Sequence, residues 1–182
     1  MAISIGMVEF TSIARGIYSA DQMVKTAQVE IVTAVSTCPG KYIAIVSGDT
    51  SAVDNSVSVG VKTAGEYYVD SMIIPNVSPL VFPAITCSTA PDSIEAVGIL
   101  ESFSMASMVI AADAILKAAC LYPIELRLGN GLGGKSFFTF TGDVAAVQAG
   151  IDAGMEIVGE KGVFVDAEVI PSPSKQLISS LL

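Results

Sequence analysis

The sequence predicts an α+β protein built from one βαββαβ unit written twice, each copy a ferredoxin-like sandwich with its helices on one face of an antiparallel sheet. Three observations carry this expectation. Residues 5–27 match residues 97–119 at a constant offset of 92, with eight identities in 23 positions, among them Gly6/Gly98, Glu9/Glu101, Ala20/Ala112, Asp21/Asp113, Lys25/Lys117 and Ala27/Ala119. After a two-residue insertion the match resumes, pairing Gly40-Lys41 with Gly134-Lys135, Gly48-Asp49 with Gly142-Asp143 and Gly65-Glu66 with Gly159-Glu160. Within each half, strand and helix periodicities then follow in the same order. A repeat of about 90 residues reads as duplication of a whole domain, because solenoid units are much shorter. The domains are accordingly placed at residues 1–93, which includes a linker at 76–93 rich in Pro, Ser and Thr, and at 94–182.

Each element has a local reason. Residues 2–10 alternate well enough for a first strand. Thr11 or Ser12 can cap a helix whose apolar face runs Ile13, Ile17, Ala20, Val24, Ala27, matched in the second copy by Met105, Val109, Ala112, Leu116 and Ala119. Two strands follow at 30–35 and 42–46, with counterparts at 124–128 and 136–140. Asp49 and Asp143 suit the N-cap of a second helix, whose face carries Ala52, Val53, Val57 and Val61, or Ala146, Val147, Ile151 and Met155. Gly65 and Gly159 suit its C-terminal stop, and a last strand in each half ends near Pro75 and Pro171.

Composition narrows the function. Hydrophobic residues make up 52% of the 182 and charged residues only 15%, which predicts extensive burial between subunits. A net charge of -9 argues against a nucleic-acid partner. There is no histidine, which removes the usual general base, the Ser-His and Cys-His nucleophile pairs and most catalytic zinc sites, so the chain is not expected to be an enzyme. The three cysteines, Cys38, Cys87 and Cys120, are odd in number and lack C-x-x-C spacing, which reads as reduced and intracellular. Cys87 and Cys120 are read as structural thiols. The first residues lack the basic region of a signal peptide, and the uncharged run 71–91 is broken by Pro75, Pro79 and Pro83. The expectation is a cytoplasmic protein that does not enter a membrane.

Two loops hold the remaining signal. One is Ser36-Thr37-Cys38-Pro39-Gly40-Lys41; its repeat counterpart is Leu128-Gly129-Asn130-Gly131-Leu132-Gly133-Gly134-Lys135. The second satisfies the phosphate-binding pattern G-x-x-x-x-G-K-[ST], but that pattern works when a helix follows, and here Phe137-Phe138-Thr139-Phe140 reads as a strand. The glycines suit a close approach of backbone, where side chains would collide. Glu9 and Glu101 read as a repeat-position feature at a strand end, with no lysine cluster or metal spacing to give them chemistry.

On these residues the chain resembles the tandem-domain, trimer-forming bacterial microcompartment shell proteins. The carrying features are the strand Ile5-Gly6-Met7-Val8-Glu9, the Ala-Asp-x-x-x-Lys-x-Ala helix end in both copies, and a Gly-Lys loop followed by a strand and Gly-Asp. The resemblance implies a homotrimer whose six domains form a flat pseudo-hexameric tile, packing with other shell proteins around an enzyme pathway. It implies that Thr37, Cys38, Pro39 and Gly40, with Gly129, Asn130, Gly131, Leu132, Gly133 and Gly134, line a central pore. It makes Lys25 and Lys117 the tile-edge lysines. The Cys38-Pro39-Gly40-Lys41 stretch is similar to that of the iron–sulfur subtype associated with propanediol utilisation. That likeness implies a 4Fe-4S cluster at the threefold axis, one per trimer, held by Cys38 of three chains. Such a cluster, with three cysteine ligands in place of the usual four, suits electron transfer across the shell to a redox enzyme or flavoprotein inside. Ser172 and Ser174, around Pro173, stand where such proteins often carry a basic edge residue. Two other readings stay open: a ferredoxin-like regulatory trimer that binds a small metabolite, and a P-loop nucleotide-binding enzyme.

Overall fold

The computed structural model describes residues 3–181. The chain divides into two compact units, Met1–Val77 and Ser78–Leu182. The two units meet at 77/78, with segment 78–93 inside the second. Segment 78–93 is not an extended linker, because it carries a short helix of its own, α3 (Val81–Ile85), which packs on elements of the second unit.

The first unit runs β1 (Ser4–Phe10), α1 (Ile13–Thr26), β2 (Val29–Thr37), β3 (Lys41–Gly48), α2 (Thr50–Ala64) and β4 (Tyr68–Ile74). Its sheet has the order β2-β3-β1-β4, with every neighbouring pair antiparallel. The second unit, after α3, runs β5 (Ala96–Ser102), α4 (Met105–Ala118), β6 (Tyr122–Leu128), β7 (Ser136–Gly142), α5 (Val144–Glu160) and β8 (Phe164–Ile170), and ends in α6 (Lys175–Leu181). Its sheet repeats the order, β6-β7-β5-β8, again antiparallel throughout. The expected α+β architecture of two βαββαβ units is thus found, in the split βαβ topology.

Alternation along β1 places Val8 and Phe10 on the helix side, where they meet Met23, Tyr42, Ala44, Val46, Val53 and Val57. Gly6 explains why the repeat keeps a glycine here. A Cβ on Gly6 would lie 2.5 Å from Val57 Cγ2, and one on Gly98 would lie 2.5 Å from the Phe140 ring. In the second unit the corresponding core is built on Leu100, Phe138, Phe140, Ile115, Val147 and Ile151, all buried.

The helix termini are mostly as expected. Ser12 caps α1 by accepting from Arg15 N (3.2 Å), and Asp143 caps α5 by accepting from Ala146 N (2.8 Å). Asp49 holds the N-cap position of α2 without a side-chain hydrogen bond. Gly65 ends α2 with φ +58, but Gly159 lies inside α5 and ends nothing; the chain turns at Gly162, φ +65. Three apolar assignments are corrected. Ile13 and Ile17 of α1 face outward, Ile17 being 55% exposed, while Gly16, Ser19, Ala20 and Met23 form the buried face. Gly16 makes that rotation possible, since the helix backbone sits against the Tyr42 ring where a Cβ would come within 2.5 Å. Met155 on α5 is likewise exposed. In α4, by contrast, residues on both sides are buried, and Asp113 Oδ1 accepts from the backbone N–H of Ser78 at 2.7 Å.

Candidate functional site

The two candidate loops are the β2–β3 and β6–β7 connections, one in each unit. In the first, Thr37 pairs with Lys41 across the hairpin, so Cys38-Pro39-Gly40 forms a three-residue tip. Gly40 adopts φ +73, as a three-residue hairpin turn requires, and nothing lies within 4 Å of a Cβ placed there. Cys38 is a half-buried free thiol, and its bond to Pro39 is cis. In the second, Leu128 pairs with Ser136, leaving residues 129–135 as the loop. Gly129, Gly131, Gly133 and Gly134 all have positive φ. The space around Gly131 and Gly133 is open, so the backbone conformation of the loop by itself explains glycine there; crowding is not needed within the chain.

The glycine loop turns backbone amides onto itself. Gly129 N donates to Lys135 O (3.1 Å) and Lys135 N donates to Leu132 O (3.2 Å). Ser136 opens strand β7, and the helix α5 begins only at Val144. The phosphate-binding pattern therefore lacks the following helix, and the amides of Gly129 and Lys135 are used within the loop. Its lysine is engaged as well.

That engagement is the feature the sequence left unread. Lys135 Nζ donates to Glu101 Oε2 at 2.8 Å, and Lys41 Nζ donates to Glu9 Oε1 at 2.5 Å. Glu9 and Glu101 are thus not unsupported strand-end carboxylates: each holds the lysine that leaves the loop. The register supplies the reason. Glu9 pairs with Ile43 and Phe10 with Tyr42, so Lys41 comes to the same end of the sheet as Glu9. The two pairs differ in burial. The side chains of Glu9 and Lys41 are 4% and 28% exposed, those of Glu101 and Lys135 33% and 38%. The signal was present, because both Glu and Lys recur at matched repeat positions; reading it needed the strand register.

Lys25 and Lys117 lie in the last turns of α1 and α4, each reaching solvent and each paired one turn back, to Asp21 and Asp113, both at 2.7 Å. The recurring Asp-x-x-x-Lys is therefore an intrahelical ion pair in both copies. Cys87 and Cys120 are exposed, Cys87 with φ +52, so neither fills the packing role expected of a structural thiol. Among the described residues no three His, Cys, Asp or Glu side chains gather into a metal site. No helix there is long and apolar enough to cross a membrane.

Comparison with known proteins agrees with this geometry. The BMC domain family matches residues 4–77 and again residues 96–173, one match in each unit. The chain is 37% identical over 177 residues to the bacterial microcompartment shell protein PduT of Citrobacter freundii, covering 97% of this chain and 96% of that one. It is 27% identical to the carboxysome assembly protein CcmO of Synechococcus elongatus, covering 98% of this chain and 68% of that one. The crystal structure of a microcompartment protein from Desulfitobacterium hafniense superposes with a TM-score of 0.94 at 47% identity, covering 98% of this chain and 99% of that one. Two BMC domains in sequence, each on its own four-stranded sheet, place this chain in the family of tandem-domain bacterial microcompartment shell proteins.

Proposed function

We propose that this shell protein works as a homotrimeric, pseudo-hexameric tile whose centre is lined by the β2–β3 and β6–β7 loops. The observation that carries the reading is the pairing of the two loops. Both connect the same two strands of a duplicated domain, both have tips built on left-handed glycines, and both are anchored at their base by a Glu–Lys pair. Three chains would bring three copies of each loop around one axis, with Thr37, Cys38, Pro39 and Gly40 alternating with the stretch 129–134. Lys25 and Lys117 would meet neighbouring shell proteins at the tile edge, each held by an Asp one turn back on its own helix.

In this reading Cys38 is the metal ligand. One chain offers a single thiol at the loop tip, so a cluster would have to be held by Cys38 of three chains. The residues fit such a group in two respects. The tip is three residues long, which puts Cys38 at the end of the hairpin, and nothing lies within 4 Å of a Cβ placed on Gly40 two residues on. When bound, a 4Fe-4S cluster would supply one-electron transfer across the shell. The chain's own part is to position the three sulfurs and, through Lys41 and Glu9, to fix the hairpin that presents them. A redox enzyme or flavoprotein inside the shell is the partner this implies, and no catalysis is assigned to the chain itself.

The test is assembly. The protein is expected to be a trimer by sedimentation equilibrium and to form sheets at high concentration, with Lys25→Ala/Lys117→Ala retaining the trimer and losing the sheets. A protein that stays monomeric at every concentration would contradict the tile. Sheets that persist in the double variant would remove the edge role from the two lysines.

A further inference from the structure

We infer that Asp21 and the exposed start of β2 receive the C-terminal tail of a second copy of this chain. The backbone N–H of the incoming Ser174 donates to Asp21 Oδ1, and α6 lies on the edge of the first sheet. This contact presumes the homotrimer proposed above and closes it. The chain already holds a finished version of the same contact. Both domains end alike: a serine, Ser78 or Ser174, stands four residues after the isoleucine that ends the last strand, and a short helix follows, α3 or α6. The tail of the first domain is docked. Ser78 N donates to Asp113 Oδ1 at 2.7 Å, α3 packs on α4 and β6, and Val81 and Ala84 are fully buried. The tail of the second domain has the same parts and is undocked. Ser174 caps α6 by accepting from Leu177 N at 3.2 Å, but its own N–H makes no hydrogen bond among the described residues. No described residue of α6 is buried, although Leu177 and Leu181 stand where α3 has Val81 and Ile85.

The receiving surface is likewise complete in one copy and open in the other. Asp113 uses both carboxylate oxygens, Oδ2 for Lys117 and Oδ1 for Ser78, and its side chain is 9% exposed. Its repeat counterpart Asp21 is 47% exposed and uses only Oδ2, which accepts from Lys25 and Gln22. Asp21 Oδ1 has no partner among the described residues. Where α3 meets β6, its neighbour Leu80 and its own Pro83 border one small cavity with Tyr122 and Pro123. The repeat counterparts of those two β6 residues, Glu30 and Ile31, are exposed, and a cavity of about 450 Å³ opens at Gln28, Glu30, Ser47 and Asp49. An open acceptor, a bare strand end and an undocked helix are therefore the separated halves of what the second unit joins. The occupant is a second copy of this chain, because that copy carries the matching donor and helix. A tail that meets a different surface makes a heterologous contact, which closes into a ring when the rotation allows. In a ring of three, the junction between chains then repeats the junction inside each chain.

The experiment is cysteine cross-linking of the full chain. Asp21→Cys/Ser174→Cys, oxidised with diamide, is expected to give covalent species of two and three chains on a non-reducing gel. Peptide mapping should place the bond between position 21 of one chain and position 174 of another. Ser78→Cys/Asp113→Cys, the internal version, should form its bond within one chain. The unaltered protein, with its exposed Cys87 and Cys120, sets the background. Sedimentation of the unaltered protein separates this contact from the homotrimer itself. A trimer whose variant yields no bond between 21 and 174 overturns the contact and leaves the homotrimer standing. Bonds joining 21 to 21 overturn it too, since they mean an isologous contact. A chain monomeric at every concentration removes both. A second variant keeps the cysteines native. Asp21→Ala, checked for folding by circular dichroism, should raise the concentration at which the trimer half-dissociates by about tenfold or more, the scale of losing a hydrogen bond to a charged group. Gln22→Ala, whose amide reaches only Oδ2, should change it by less than about twofold. Equally small effects of the two would overturn the role given to Asp21.

Discussion

Replacing Lys41 by methionine should destabilise the protein well beyond the same change at Lys135, although both lysines occupy the same repeat position. Lys41 Nζ lies 2.5 Å from Glu9 Oε1, and the Glu9 side chain is only 4% exposed. Removing the ammonium leaves a carboxylate that is buried and has lost its cation. Breaking a fully buried pair costs about 3–5 kcal/mol. Lys41 is itself 28% exposed, so water reaches part of the site, and a cost of about 2–3 kcal/mol is expected. At Glu101–Lys135, with 33% and 38% exposure, solvent replaces most of what is lost and the cost should stay below about 1 kcal/mol. The assay is thermal unfolding followed by circular dichroism at fixed protein concentration, since assembly makes the midpoint concentration-dependent. At about 2–4 °C per kcal/mol for a chain of this size, Lys41→Met should lower the midpoint by about 4–12 °C and Lys135→Met by less than about 4 °C. Glu9→Gln/Lys41→Met should recover a large part of the loss, because it removes the orphaned charge. Equal midpoints for the two single variants would refute the argument that burial separates the two pairs.

Two further contrasts each carry an internal control, one within a helix and one between the repeats. Gly150→Ala should destabilise by about 1–3 kcal/mol, because its Cβ would lie 2.7 Å from Leu121 Cδ1, whereas Gly159→Ala in the last turn of the same helix meets nothing within 4 Å and should stabilise by up to about 0.5–1 kcal/mol. Urea unfolding of the two variants decides this, and destabilisation at Gly159 would show that its surroundings are not open. Asp143→Ala should cost about 1 kcal/mol for its lost cap hydrogen bond and Asp49→Ala less, since Asp49 makes none; the reverse order in the same assay would count against the cap geometry.

The duplicated domain was legible because the repeat preserves residues whose reasons are local. Gly6 and Gly98 let a helix or a ring lie on the central strand, Ser12 and Asp143 cap helices, and Pro75 and Pro171 follow the last strands. What escaped depended on neighbours distant in sequence. The apolar stripe through Ile13 and Ile17 met the helical period, yet Gly16 is the residue that packs, because only a missing side chain fits against Tyr42. Segment 78–93 has the composition of a linker, but Val81 and Ala84 are buried and Thr89 Oγ1 donates to the backbone oxygen of Ile124. Glu9 and Glu101 stood in the repeat without a stated partner until the register put Lys41 and Lys135 beside them. The loop pair itself was readable, including why the glycine pattern is not a phosphate cradle: a strand, not a helix, follows it.

The measurement that bears most directly on the proposed centre is the iron and acid-labile sulfide content of protein purified without oxygen, together with its oligomeric state. The account predicts a brown trimer with about four iron and four sulfide per three chains, the stoichiometry of one 4Fe-4S cluster with a single cysteine ligand from each. It predicts a colourless, iron-free trimer for Cys38→Ser. Iron and colour retained undiminished in Cys38→Ser would contradict the assignment of this thiol, and a colourless wild-type trimer would leave the tile standing and remove the cluster from it.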